Sequence, residues 1–182
     1  MRKITLFLLL LGLALAASPM QDRLEQTIKS GGEKFAKDLL TRDEGQAICS
    51  QYRDKLPADQ VQGFLDKQRA LIKYPADNKL IGDWKEGEKI FTAAARGNCY
   101  ACHTADPKEA AAGNVGPSLT GYGARGNSDP IVKYTYEKIY NAWAYSPCST
   151  MYRAGVHGIL KPEEVANVVA FLIDPASPVN KK

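Results

Sequence analysis

Two cysteines three positions apart, followed at once by a histidine, are the residues of this 182-residue chain with the clearest chemistry: Cys99-Tyr100-Ala101-Cys102-His103. Within one turn they offer two thiols, each able to form a thioether with a vinyl group of haem, and an imidazole fixed beside them to ligate the iron. This spacing is the attachment signature for c-type haem. Cys-x-x-Cys also reads as a thiol redox pair or as half of a zinc site. The chain has only two histidines and no second Cys-x-x-Cys, so zinc lacks an evident ligand set. His103 directly after Cys102 favours haem. One motif predicts one covalently bound haem c, with His103 as an axial ligand.

The ligand on the other haem face decides whether small molecules bind the iron or only electrons pass. Met20, Met151 and His157 are the candidates beyond the first 17 residues. Met20 stands beside an expected cleavage site, on a terminus. Met151 lies in a loop ahead of the last helix, from which a thioether can swing over the haem. His157, between Gly155 and Gly158, competes for the same position, its plainer reading being a solvent-facing loop histidine. Methionine/histidine ligation raises the potential and suits electron transfer, which favours Met151. Tyr122, Tyr134, Tyr136, Tyr140, Trp143 and Tyr145 read mostly as core aromatics around the macrocycle. Arg125 and Arg153 are able to pair with haem propionates, though surface arginines are the commoner outcome.

The N-terminus points to export into an oxidising compartment. Met1-Arg2-Lys3 precedes an apolar run over residues 4–15 that closes on Ala16-Ala17. Basic start, short apolar core and small residues make a secretory signal peptide over 1–17; a spanning helix needs about 20 apolar residues. The expected location is periplasmic, with no membrane anchor after cleavage. Loss of Arg2 and Lys3 lowers the formal charge from +4 to +2, which argues against nucleic acid as a partner. In such a compartment the two remaining cysteines, Cys49 and Cys148, are expected to form a disulfide, a free or intermolecular thiol being the alternative.

Helices must position these groups. Thr41-x-x-Glu44 reads as a capping box, Pro57 as a first-turn proline ahead of Val61, Phe64 and Leu65, and Asp83-x-x-Glu86 as a second cap. Gly87, Ile90, Phe91 and Ala94 then share one helical face, where a glycine permits close helix approach. Asp129-Pro130 opens a helix to about Trp143, and Pro162 opens another whose Val165, Val168, Val169 and Leu172 recur at helical spacing until Asp174-Pro175. Glycines and prolines mark 105–128 as loop. No alternating strand stands out. The expectation is an all-α protein: signal peptide 1–17, a helical N-terminal extension 18–80, and a class I cytochrome c-like domain with long loops, 81–182.

Four segments together resemble the SoxX family, the mono-haem subunits of SoxAX cytochromes in sulfur oxidation. They are Gly97-Asn98-Cys99-x-x-Cys102-His103, Gly113-Asn114-Val115-Gly116-Pro117-Ser118-Leu119, Cys148-Ser149-Thr150-Met151-x-Arg153-x-Gly155, and Asp174-Pro175-x-Ser177-Pro178-Val179-Asn180. The match covers about residues 85–180. The first two segments are general to c-type cytochromes; the Met151 segment and the tail single out SoxX. The resemblance implies Met151 as distal ligand, Pro117 beside His103, and a heterodimer with a SoxA-like cytochrome subunit that carries the catalytic residues of an L-cysteine S-thiosulfotransferase. This chain would then pass electrons to a downstream cytochrome acceptor. Tyr152 and Ala154 depart from the family, which commonly has proline after the methionine and an aromatic residue before the glycine. A free-standing electron carrier and a ligand-binding or peroxidatic haem protein are the competing functions.

Overall fold

In the computed structural model, which describes residues 19–52, 55–106, 108–109 and 111–181, every regular element among the described residues is helical. The signal peptide expected over 1–17 lies outside them. The chain divides into two units, 1–43 and 44–182. The stretch expected as an N-terminal extension is therefore split between them.

The first unit contains α1 (Pro19–Ser30) and α2 (Glu33–Leu40). Gly32 joins them at φ 101°, a left-handed conformation that favours glycine. Thr41, expected to cap the next helix, instead closes α2 by donating its N–H to the Lys37 carbonyl. The expected capping box does not form.

The second unit holds α3 (Glu44–Tyr52), α4 (Ala58–Ala70), α5 (Trp84–Thr92), α6 (Asp129–Tyr140) and α7 (Pro162–Ile173), with short 3₁₀ turns at Cys99–Ala101, Tyr122–Arg125, Ala142–Ala144 and Pro178–Asn180. Asp83 caps α5, its carboxylate accepting from Lys85 N–H at 2.7 Å. The Glu164 carboxylate accepts from Lys161 N–H at 2.9 Å and steadies the start of α7.

The core forms where α5 crosses α7. A Cβ on Gly87 would sit 2.0 Å from the Asn167 carbonyl oxygen and 2.9 Å from Phe171 Cβ, so the helices meet at a distance only glycine allows. Ile90, Phe91, Val165, Val168, Val169 and Leu172 are all buried there, each contributing roughly 1.5–3 kcal/mol by leaving water. Phe91 sits 5.1 Å, centroid to centroid, from both Tyr100 and Phe171, linking this core to the turn at Cys99–Ala101.

Helix α6 ends at Tyr140, short of the end expected at about Trp143. Asn141, fully buried, leaves the helix because its side chain is better satisfied elsewhere: it donates to the Gln68 carbonyl at 2.8 Å and accepts from Trp143 N–H at 3.2 Å. That knot ties the end of α4 to the end of α6. On α6 itself Glu137 is only 7% exposed and accepts hydrogen bonds from the Tyr74 and Tyr145 hydroxyls. A buried carboxylate costs heavily unless bonded in this way. The phenols answer in kind: burial first and Glu137 second push Tyr74 from 10.0 up to about 12 and raise Tyr145 as well.

Cys49 and Cys148 form the expected disulfide, joining α3 to the loop that leads to Met151. The bridge closes a long span, with a sequence separation of 99. Replacing both cysteines by serine is expected to cost about 2–5 kcal/mol, seen as a lower thermal midpoint; an unchanged midpoint would remove the staple role. A second expectation concerns pH. The Tyr74 and Tyr145 phenols are held above their ordinary value, so their contribution is complete below pH 10.0 and is lost as pH climbs towards about 12. Urea midpoints should fall over that window in the native sequence and fall less in the Tyr74→Phe/Tyr145→Phe pair; equal slopes would refute the assignment.

Candidate haem site

The haem-binding motif folds as a tight turn. Asn98 adopts φ 45°, a left-handed conformation asparagine tolerates, and leads into the 3₁₀ turn Cys99–Ala101. Cys102 and His103 N–H both donate to the Cys99 carbonyl, at 3.1 and 2.9 Å. Cys99, Cys102 and His103 thereby come to line one cleft of about 550 Å³. Neither thiol is in a disulfide. Burial pushes the Cys99 thiol up to about 11, so it is protonated at neutral pH.

The loop after the motif folds back over it. Gly113 N–H donates to the Tyr100 carbonyl at 2.7 Å and Gly116 N–H to the Cys102 carbonyl at 2.8 Å. A Cβ on Gly116 would lie 2.3 Å from His103 Cε1, so glycine is required where the backbone passes the imidazole. His103 Nδ1 lies 2.8 Å from the Pro117 carbonyl oxygen. A carbonyl only accepts, so Nδ1 carries the proton and Nε2 keeps its lone pair for a metal. This is the tautomer an axial ligand needs.

Met151 lines the same cleft. Its loop is pinned on several sides. The Trp143 indole donates to the Ser149 carbonyl at 2.8 Å, and Met151 N–H to Ser149 Oγ at 3.2 Å. Arg153, 1% exposed, lays its guanidinium 4.1 Å over the Trp143 ring and donates to Gln68 Oε1 at 3.2 Å. Gly155 N–H reaches the Tyr140 carbonyl at 3.0 Å. Upstream stands the disulfide, with Cys148 at φ 56°.

The other candidates are placed elsewhere. His157 is exposed, does not line the cleft, and has Nε2 3.0 Å from Arg153 Nη2. Met20 lies on α1 and is 80% exposed. Of the two arginines, Arg125 lines the cleft, 4.8 Å over the Tyr122 ring, whereas Arg153 does not. Tyr122 and Tyr134 are cleft residues; Tyr136 and Tyr140 are core.

Among the cleft residues to which the sequence reading gave no site role are Lys138 and Tyr152. Lys138 lines the cleft half-buried, donating to Ser146 Oγ at 2.8 Å, with burial lowering its pKa. Nothing in a helical lysine signals such a place. Tyr152 also lines it, and its hydroxyl donates to the Gly97 carbonyl. Its signals were its position beside Met151 and its departure from the proline common there in the SoxX family.

These residues fit haem. Two thiols and an oriented imidazole meet a thioether in one largely apolar cleft, and its charged lining residues among those described are the cations Arg125 and Lys138, with no acidic one, which suits a group bearing two carboxylates. The chain is 46% identical over 167 residues to an uncharacterized lipoprotein of Aquifex aeolicus (strain VF5), covering 84% of this chain and 80% of that protein. It is 28% identical to a chain in the crystal structure of SoxXA from P. pantotrophus, with a TM-score of 0.43, covering 52% of this chain and 82% of that one. A family model, cytochrome c, matches residues 84–174, which is half of the sequence and holds the haem motif and Met151. The chain belongs to the cytochrome c family, in which haem c is covalently bound.

Proposed function

We propose that this chain holds one haem c through Cys99 and Cys102, with His103 and Met151 as axial ligands, and acts as the exported electron-transfer subunit of a SoxAX-type thiosulfotransferase. The observation that carries the site is that His103, oriented by Pro117, and Met151, on a braced loop, line one cleft with both thiols. The bound group supplies a reversible one-electron change at iron. The residues do the rest: His103 Nδ1–H donates to the Pro117 carbonyl, the Met151 loop closes the second ligand position, and Phe91, Ile139, Val168 and Leu172 keep water from the cleft.

The finer assignment rests on the SoxX-like segments, and their placement supports it. The Cys148–Gly155 segment is the braced loop itself. In the tail, Asn180 Nδ2 donates to the Leu172 and Asp174 carbonyls, and Gly123 N–H donates to Asn180 Oδ1 at 2.7 Å. The tail thus clamps the end of α7 to the 3₁₀ turn that carries Tyr122 and Arg125. Joining a thiosulfate sulfur to a cysteine sulfur releases two electrons, and a partner subunit forming that bond needs an acceptor that takes them singly. A closed methionine/histidine site suits that relay. Export with cleavage near Ala16 or Ala17 belongs to the same reading; the first cysteine, Cys49, is in the disulfide.

Two expectations follow from these roles. Met151→Ala should abolish the far-red methionine–iron charge-transfer band and admit carbon monoxide to the reduced protein, whereas His157→Ala should do neither; the opposite pattern would reassign the ligand. Co-expressed with a SoxA-like cytochrome, the chain should purify as a heterodimer whose haem is reduced by thiosulfate in the presence of a thiol acceptor. A monomer whose haem stays oxidised under those conditions would leave the family assignment standing and sink the thiosulfotransferase role. Intact mass of the exported protein would show the cleaved chain, or an acylated one if it is lipid-anchored.

A further inference from the structure

The wall of the cleft between the haem-attachment turn and the Met151 loop is bridged by one side chain that neither the haem motif nor the ligand set uses. Tyr152 follows Met151 directly, and its hydroxyl donates to the carbonyl of Gly97, two residues before Cys99. Gly97 is itself fixed: it is buried, and a Cβ there would lie 2.4 Å from the Ile90 carbonyl oxygen, so the acceptor is backed by the C-terminal half of α5. The Tyr152 ring lines the cleft while 37% of the residue faces solvent, which places it at the rim.

The bracing described above acts on the loop from behind. The disulfide at Cys148, the Trp143–Ser149 bond and the stacked Arg153 all fix Met151 to α3, α4 and the end of α6. None of them reaches the haem-attachment turn. Tyr152 does, joining the segment that bears the distal thioether to the segment that bears both thiols and His103.

We infer that Tyr152 is a positioning residue, a latch across the cleft rim that holds Met151 closed on the site and limits entry of outside ligands. This rests on Met151 being the distal ligand. A methionine–iron bond opens only if its loop can swing away, and swinging it away breaks the Tyr152–Gly97 hydrogen bond and uncovers the rim. Loss of this hydrogen bond should raise the open population about fivefold, equivalent to about 1 kcal/mol. The ring adds a steric part that phenylalanine would keep.

The test uses the haem-loaded protein and imidazole as the entering ligand. Tyr152→Phe is expected to keep the methionine–iron band and bind imidazole about fivefold faster than the native chain; Tyr152→Ala, which also loses the ring, should bind faster still. Tyr74→Phe serves as the control, since it removes a hydroxyl bonded to Glu137 and costs stability without touching the rim. It should lower the thermal midpoint and leave the imidazole rate unchanged. Imidazole rates in both Tyr152 variants equal to the native rate, with the methionine–iron band present, would overturn the latch while leaving Met151 as ligand. Absence of that band from the native protein would overturn both.

Discussion

The site depends first on how closely α5 can approach α7. Gly87 lets the backbones nearly touch, and the two helices then bury a shared apolar face that includes Phe91 and Phe171. Phe91 also meets Tyr100 inside the haem motif, so the packing that stabilises the domain fixes the turn bearing Cys99, Cys102 and His103. Burial of large side chains is worth several kcal/mol in total, against about 1–2 kcal/mol per residue to order the backbone of such a turn. Without that core the motif would be a short peptide with no fixed direction.

Around it the structure assigns separate tasks to separate loops. The glycine-rich segment after the motif accepts a hydrogen bond from His103 Nδ1–H at the Pro117 carbonyl, which leaves the Nε2 lone pair facing away from that bond. The Met151 segment is held by different forces: a covalent bridge, an indole hydrogen bond and an arginine buried against an aromatic face. For the ligand role proposed for Met151, such bracing would make exchange costly, and an electron-transfer site benefits because little rearrangement accompanies a change of charge. The tail serves the same end, with Asn180 satisfying carbonyls at the end of α7 that the helix leaves unpaired.

Buried polar groups then decide where helices stop. Asn141 ends α6 short of the expected stop near Trp143, because Gln68 and Trp143 satisfy its amide. Thr41 ends α2 where a local pattern suggested a cap for the next helix. Local signals compete with tertiary partners, and a boundary is where a single hydrogen bond can settle the outcome.

The sequence by itself determined the haem motif, the all-helical class, the faces of α5 and α7, and a Cys49–Cys148 pair. Those rest on short-range chemistry or periodicity: thiols and imidazole within one turn, apolar residues at helical spacing, an even remainder of cysteines in an oxidising compartment. It left Met151 and His157 as rivals six residues apart, and only the tertiary structure put Met151 in the cleft and His157 outside it beside Arg153. It gave no hint that Lys138 lines the cleft or that Tyr152 reaches Gly97. The physical reason is common to all three: a side chain's partner depends on where distant loops are brought together by the core, and spacing along the chain carries no information about that meeting.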